Sequence, residues 1–92
     1  LLDIKKGDKV LEVGTGSGYQ AIVLLEMGAK VFSIERQRKL YDKTRKLMDK
    51  LGYMPKLFYG DGYKGLPAYA PFDKIIVTAG APEIPEALLT QL

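Results

Sequence analysis

The residues able to do chemistry in this chain are carboxylates set beside bare backbone. There is no cysteine and no histidine. Thiol nucleophiles, disulfides, histidine bases and the usual zinc sites are therefore excluded. The richest stretch is Val10-Leu11-Glu12-Val13-Gly14-Thr15-Gly16-Ser17-Gly18-Tyr19. A short apolar run stops at alternating glycines, Gly14, Gly16 and Gly18, and an apolar helical pattern starts at once. Backbone without side chains lets a ligand approach closely, and the first turn of the new helix directs unpaired N–H groups at it. The aligned peptide dipoles favour a negative group there. Glu12, inside the apolar run, adds a carboxylate whose unpaired burial would be costly. Its alternative is to point out of the strand end, to solvent or to Lys9. A ligand suited to the turn and to Glu12 together has an anionic part and a cationic or hydroxyl-bearing part.

Two further acids extend the pattern. Glu35 closes Val31-Phe32-Ser33-Ile34. It lies downstream of the glycine turn at the spacing, roughly 20 residues, where an acid accepts hydrogen bonds from a ribose diol. The competing use is an ion pair with Arg36 or Arg38. An acid there disfavours NADP, whose phosphate it would repel. Asp61 lies between Gly60 and Gly62. It can accept from an adenine amino group while the glycines let the base lie on backbone; the same tripeptide also suits a plain turn. The dinucleotide fingerprint G-x-G-x-x-G is not matched, because Tyr19 takes the place of its third glycine. No Gly-Lys-Ser/Thr follows, which excludes a P-loop.

These residues need a frame. Strands are predicted over 9–13, 30–34, 56–59 and 72–78, and helices over 18–27, 37–51 and 85–92. Residues 63–71, with Gly65, Pro67 and Pro71, form a loop. The order βαβαββα implies parallel pairing with right-handed crossovers. The fold class is α/β: a Rossmann-like doubly wound parallel sheet, partial, of four strands in the order 3-2-1-4 with three helices. Ligands in such folds bind outside the carboxyl ends of the strands. Gly14 to Gly18, Glu35, Asp61 and Thr78 all fall at such ends. Leu40, Tyr41, Leu47, Met48 and Leu51 form one helical stripe with Thr44 between them. The basic residues from Arg36 to Lys50 then make a solvated face. No interleaved aromatic platform accompanies them, so nucleic acid is not an expected partner.

Composition sets the bounds. The 92 residues allow one domain; hydrophobic content is 47%, charged content 27% and net charge +3. The apolar run Ala21 to Leu25 is too short to span a membrane, and no signal-peptide pattern opens the sequence. A cysteine-free chain agrees with a cytoplasmic setting. The first residue is Leu1 and the sequence stops within a predicted helix, as a piece of a longer protein would.

The glycine turn with Val31-Phe32-Ser33-Ile34-Glu35-Arg36 resembles the first two motifs of class I S-adenosylmethionine-dependent methyltransferases. Gly60-Asp61-Gly62-Tyr63-Lys64-Gly65, the run from Ala70 to Ala79, and Ala81-Pro82-Glu83-Ile84-Pro85-Glu86-Ala87-Leu88-Leu89 are similar to the protein-L-isoaspartate O-methyltransferase family. The first motif is common to many methyltransferases; the later loops are more particular. The resemblance implies that residues 1–92 are the cofactor-binding core of a methyltransferase domain, truncated at both ends. It implies a serine-bearing substrate loop before Leu1 and further strands after Leu92. It implies S-adenosylmethionine as cofactor. Gly14, Thr15, Gly16, Ser17 and Gly18 would cradle its methionine end, and Glu12 would lie near the amine and sulfonium. Glu35, with Arg36 beside it, would hold the ribose, and Asp61 and Gly62 would meet the adenine. Thr78 would line the rim near the transferred methyl, and no catalytic residue is assigned. The implied reaction methylates the carboxylate of L-isoaspartyl residues in damaged proteins or peptides, a repair activity. Two other readings stay open: an NAD-binding dehydrogenase-type domain, and an inactive unit that self-associates through an open edge of strand four.

Overall fold

The computed structural model describes residues 4–15, 18–77 and 86–92. Strands β1 (Lys9–Val13), β2 (Lys30–Glu35), β3 (Lys56–Tyr59) and β4 (Lys74–Val77) form one parallel sheet in the order β3-β2-β1-β4. This is the predicted order. Helices α1 (Tyr19–Glu26), α2 (Arg38–Leu51) and α3 (Glu86–Leu89) complete the regular elements.

Burial on both faces explains the continuous apolar strands. On one face Val10 and Val31 pack with Ala21 and Leu24 of α1 and Met48 of α2. On the other, Leu11, Val13, Phe32 and Ile34 pack with Phe72 and Leu88. Each such fully buried Val or Leu contributes about 1.5–3 kcal/mol. In α2, Thr44 and Met48 are buried while Lys39, Lys43, Arg45, Lys46 and Lys50 are exposed, so the basic residues do form a solvated face. Leu51 departs from the predicted stripe: it sits in the last turn, exposed.

Element ends shift by a residue in α1, β2 and α2, and three larger differences bear on the site. The 63–71 segment is not irregular throughout, because 3₁₀ turns form at Gly62–Lys64 and Pro67–Tyr69. Strand β4 starts at Lys74 rather than Phe72. The Phe72 N–H donates to the Gln91 carbonyl at 2.7 Å, so that residue is held by the chain's C-terminal turn, not by the ladder. Helix α3 ends at Leu89 and the chain turns there, which buries Gln91. The Gln91 side chain accepts from the Leu66 N–H and donates to the Lys64 and Ala87 carbonyls, each at 2.9 Å. It thereby pins the loop that follows Asp61. Pro85, the predicted start of the last helix, lies outside the described residues.

Candidate functional site

The carboxyl ends of the strands surround a cavity of about 350 Å³. Small-molecule sites run from about 300 to 1,000 Å³. Gly14 follows β1 into its wall; Glu35, Arg36 and Gln37 come from the end of β2. Asp61, Gly62 and Tyr63 come from the loop after β3, and Val77 from the end of β4. Val13, Ile34 and Leu40 supply apolar wall. Of the residues singled out from sequence, Gly14, Glu35, Arg36, Asp61 and Gly62 share one cavity, while Glu12, Thr15 and Gly18 do not line it. Gly16, Ser17 and Thr78 lie outside the described residues.

Glu35 is buried and fixed by backbone. The Thr15 N–H donates to Oε1 at 3.1 Å and the Gln37 N–H to Oε2 at 2.9 Å. The alternative pairing with Arg38 is not made: Arg38 Nε lies 3.2 Å from Asp42 Oδ1, and its guanidinium covers the Tyr59 ring at 5.2 Å. A carboxylate oxygen accepts more than one hydrogen bond, so Glu35 keeps capacity toward the cavity.

Glu12 is wholly buried, which overturns the alternative that it reaches solvent or Lys9. The Lys9 ammonium is at the far end of the sheet, donating to the Tyr69 carbonyl. Ser33, opposite Glu12 in the parallel register, donates its hydroxyl to Glu12 Oε1 at 2.8 Å. Thr15 Oγ1 is 2.8 Å from Ser33 Oγ. Ser33 has one hydroxyl proton and gives it to Glu12, so Thr15 is the donor in that second bond. Glu12 Oε2 has no hydrogen-bond partner among the described residues. Burial pushes the Glu12 carboxyl up to about 7; the Ser33 bond opposes the rise and the nearby Glu35 charge adds to it.

The glycines do different work. Gly18 caps α1 at φ +86°. A Cβ there would stand 2.9 Å from Met48 Cε and 3.0 Å from Thr44 Cγ2, so its bareness seats α1 on α2. Its N–H donates to the Thr15 carbonyl at 3.0 Å and is spent within the turn. Tyr19, at the place of a third dinucleotide glycine, is exposed. At Gly62 a Cβ would meet Val13 Cγ1 at 2.5 Å, so the cavity floor closes only over glycine. Asp61 Oδ1 accepts from the Tyr63 N–H at 3.0 Å and shapes the same loop.

Sequence reasoning missed Ser33, Gln37, Leu40 and Tyr63. Ser33 had a signal, a hydroxyl inside an apolar strand. The others line the cavity through tertiary placement, with no local mark. Among the described residues no group of acids could hold a metal ion, and no helix is long and apolar enough to cross a membrane.

A parallel 3-2-1-4 sheet with a glycine turn after its first strand and a fixed acid at the end of its second defines a Rossmann-like α/β domain, the frame of the methyltransferase fold. A solved protein-L-isoaspartate O-methyltransferase superposes on 97% of this chain with a TM-score of 0.88 and 40% identity, the match covering 29% of that structure's chain. The chain belongs to the protein-L-isoaspartate(D-aspartate) O-methyltransferase family, whose model matches residues 1–92. It is 72% identical to the protein-L-isoaspartate O-methyltransferase of Christiangramia forsetii and 68% identical to that of Flavobacterium psychrophilum, each across the whole chain. It spans 44% of the length of each of these relatives.

Proposed function

We propose that this chain is the S-adenosylmethionine-binding core of an enzyme that methylates the carboxylate of L-isoaspartyl residues in damaged proteins. The observation that carries the reading is Glu12: a buried carboxylate with one oxygen bound and one without a partner, in the strand that leads into the glycine turn. An orphaned buried oxygen of this kind suits a cationic group brought by a ligand. Glu12 would face the methionyl amine and sulfonium. The turn from Gly14 to Gly18 would carry the methionine end, through Gly14, Thr15, Gly16 and Ser17, with Gly18 seating the helix. Glu35 would accept from the ribose hydroxyls, with Arg36 at the rim. Asp61 and Gly62 would border the adenine, and Thr78 the rim nearest the acceptor.

When bound, S-adenosylmethionine supplies an electrophilic methyl group. The chain's own residues bind it, orient it and exclude water. The acceptor carboxylate is ionised near pH 7, so no general base is required, in keeping with a sequence without histidine. A cytoplasmic setting agrees with the absence of cysteine.

The test is calorimetric titration with S-adenosylhomocysteine and with NAD, followed by methyl transfer to paired isoaspartyl and aspartyl peptides. Binding of S-adenosylhomocysteine is expected of this chain, which by itself should be inactive or nearly so; labelling of the isoaspartyl peptide, and not the aspartyl one, is expected of protein made from the complete reading frame. Tight NAD binding without S-adenosylhomocysteine binding would overturn the proposal.

A further inference from the structure

We infer that Ser33 is a positioning residue for the cofactor: it grips one oxygen of Glu12, ties that carboxylate through Thr15 to the support of Glu35, and leaves the second Glu12 oxygen to receive an ammonium group. The inference rests on the S-adenosylmethionine reading above and gives its two ends one shared frame.

Ser33 is in the middle of β2, completely buried. A small apolar residue would fill that space; a buried hydroxyl needs partners. It has two. The donors run in one direction, from the Thr15 hydroxyl to Ser33 Oγ, and from Ser33 to Glu12 Oε1. The Thr15 backbone N–H meanwhile donates to Glu35 Oε1. Two acids on adjacent strands are therefore joined through one serine and one threonine.

The direction has a chemical consequence. With Glu12 ionised, Oε1 accepts from Ser33 and Oε2 is the oxygen left open. An ammonium arriving at Oε2 favours the charged form of the carboxylate. A proton held by Glu12 then leaves for solvent, and the ionised carboxylate accepts from the ammonium. Ligand binding is thus coupled to release of one proton. The groups facing Glu12 leave the assignment clear. Glu35 on β2 is the charged neighbour that acts on it. Ile76 is opposite on β4. Helices α1 and α2 bury Ala21, Leu24, Thr44 and Met48, none of them titratable.

The experiment uses protein made from the complete reading frame. Titration calorimetry with S-adenosylhomocysteine and with adenosine is run in buffers of different ionisation heat, from about pH 5.5 to 8.5. For the wild type, S-adenosylhomocysteine should release up to one proton at the acid end, falling away as the pH passes about 7. Adenosine, which lacks the ammonium, should release none. Ser33→Ala should weaken S-adenosylhomocysteine about tenfold or more, as loss of a hydrogen bond to a charged group does. It should move the pH at which affinity levels off upward and leave adenosine binding within about twofold. Glu12→Gln, of equal size, should abolish proton release. Wild-type binding without proton release overturns the inference, as does a Ser33→Ala variant that weakens both ligands alike or neither. If Ser33→Ala does not fold, the proton counts of wild type and Glu12→Gln decide. No S-adenosylhomocysteine binding by the wild type would instead overturn the methyltransferase reading itself.

Discussion

The two ends of the sheet carry the same kinds of side chain and treat them in opposite ways. At the amino end, the Lys9 N–H donates to Asp73 Oδ2 and the Asp73 N–H to the Lys9 carbonyl, each at 2.8 Å. The Lys9 ammonium donates to the Tyr69 carbonyl and lies over the Phe32 and Phe72 rings, 5.6 and 5.4 Å from their centroids. Phe32 meets Phe72 edge-on at 5.5 Å. At the carboxyl end, Glu12 is buried more completely than Lys9 and has only one oxygen satisfied. On the reading proposed above, the end that is closed is structural and the end that leaves a buried acid half-bonded is the one that takes the ligand. Polar satisfaction separates them better than apolar packing, which is continuous from one to the other.

The largest effect should come from the closed end. Phe72→Ala removes a 3% exposed ring and should lower stability by about 3–5 kcal/mol. Urea unfolding measures the loss. S-adenosylhomocysteine affinity of the folded fraction should stay within about twofold, and a large fall there would break the division between the two ends.

The next effect belongs to the open end and has the opposite sign. The folded-state pKa of Glu12, about 7, lies above its ordinary 4.5. The native state therefore holds this proton more tightly than the unfolded chain. The stability it gives is complete below about pH 4.5 and is lost as the pH rises through about 7, about 3 kcal/mol in all. Glu12→Gln should flatten that slope and raise the melting temperature at pH 7 and above, while weakening S-adenosylhomocysteine. A stabilising change that harms binding is the signature of a site strained for its ligand. An unchanged pH slope in the variant would place the titration elsewhere.

Gly62→Ala tests the cavity floor. Its Cβ would press on Val13 Cγ1, which is on a buried strand with little freedom to retreat. The change should lower stability by about 1–3 kcal/mol and weaken ligand binding as well, since Gly62 and Val13 both line the cavity. Retained stability with lost binding would show that the loop moves instead of the strand.

Much of this division was legible in the chain. The alternation of apolar strand runs with helical patterns implied the strand order, and Gly14, Glu35, Asp61 and Gly62 fell at strand ends because local signals mark those ends. Gly18 was legible only as a bare turn. Its packing onto Met48 and Thr44 depends on how α2 crosses α1, which no local pattern encodes. Ser33 was passed over because a serine in a strand is common, and its meaning depends on the register that sets it against Glu12. The role of Lys9 was legible least. Charge proximity in sequence suggested Glu12 as its partner, yet strand alternation and the 3₁₀ turn at Pro67–Tyr69 send it to the other end.

Lys9→Met gives the smallest and sharpest contrast. The substitution keeps a long apolar stem over Phe32 and Phe72 and removes the ammonium. The lost contacts are one hydrogen bond to a carbonyl and the attraction to two ring faces at a half-buried site, together about 1 kcal/mol. Urea unfolding at pH 8 should show that loss, with ligand affinity unchanged. At the same pH, Glu12→Gln should show a gain with affinity reduced. Removing a charge thus destabilises the end where the charge has its partners in a carbonyl and two rings and stabilises the end where one carboxylate oxygen has none. If Lys9→Met were neutral or stabilising, the ammonium would contribute nothing to closing its end, and the aromatic rings alone would account for the difference between the two.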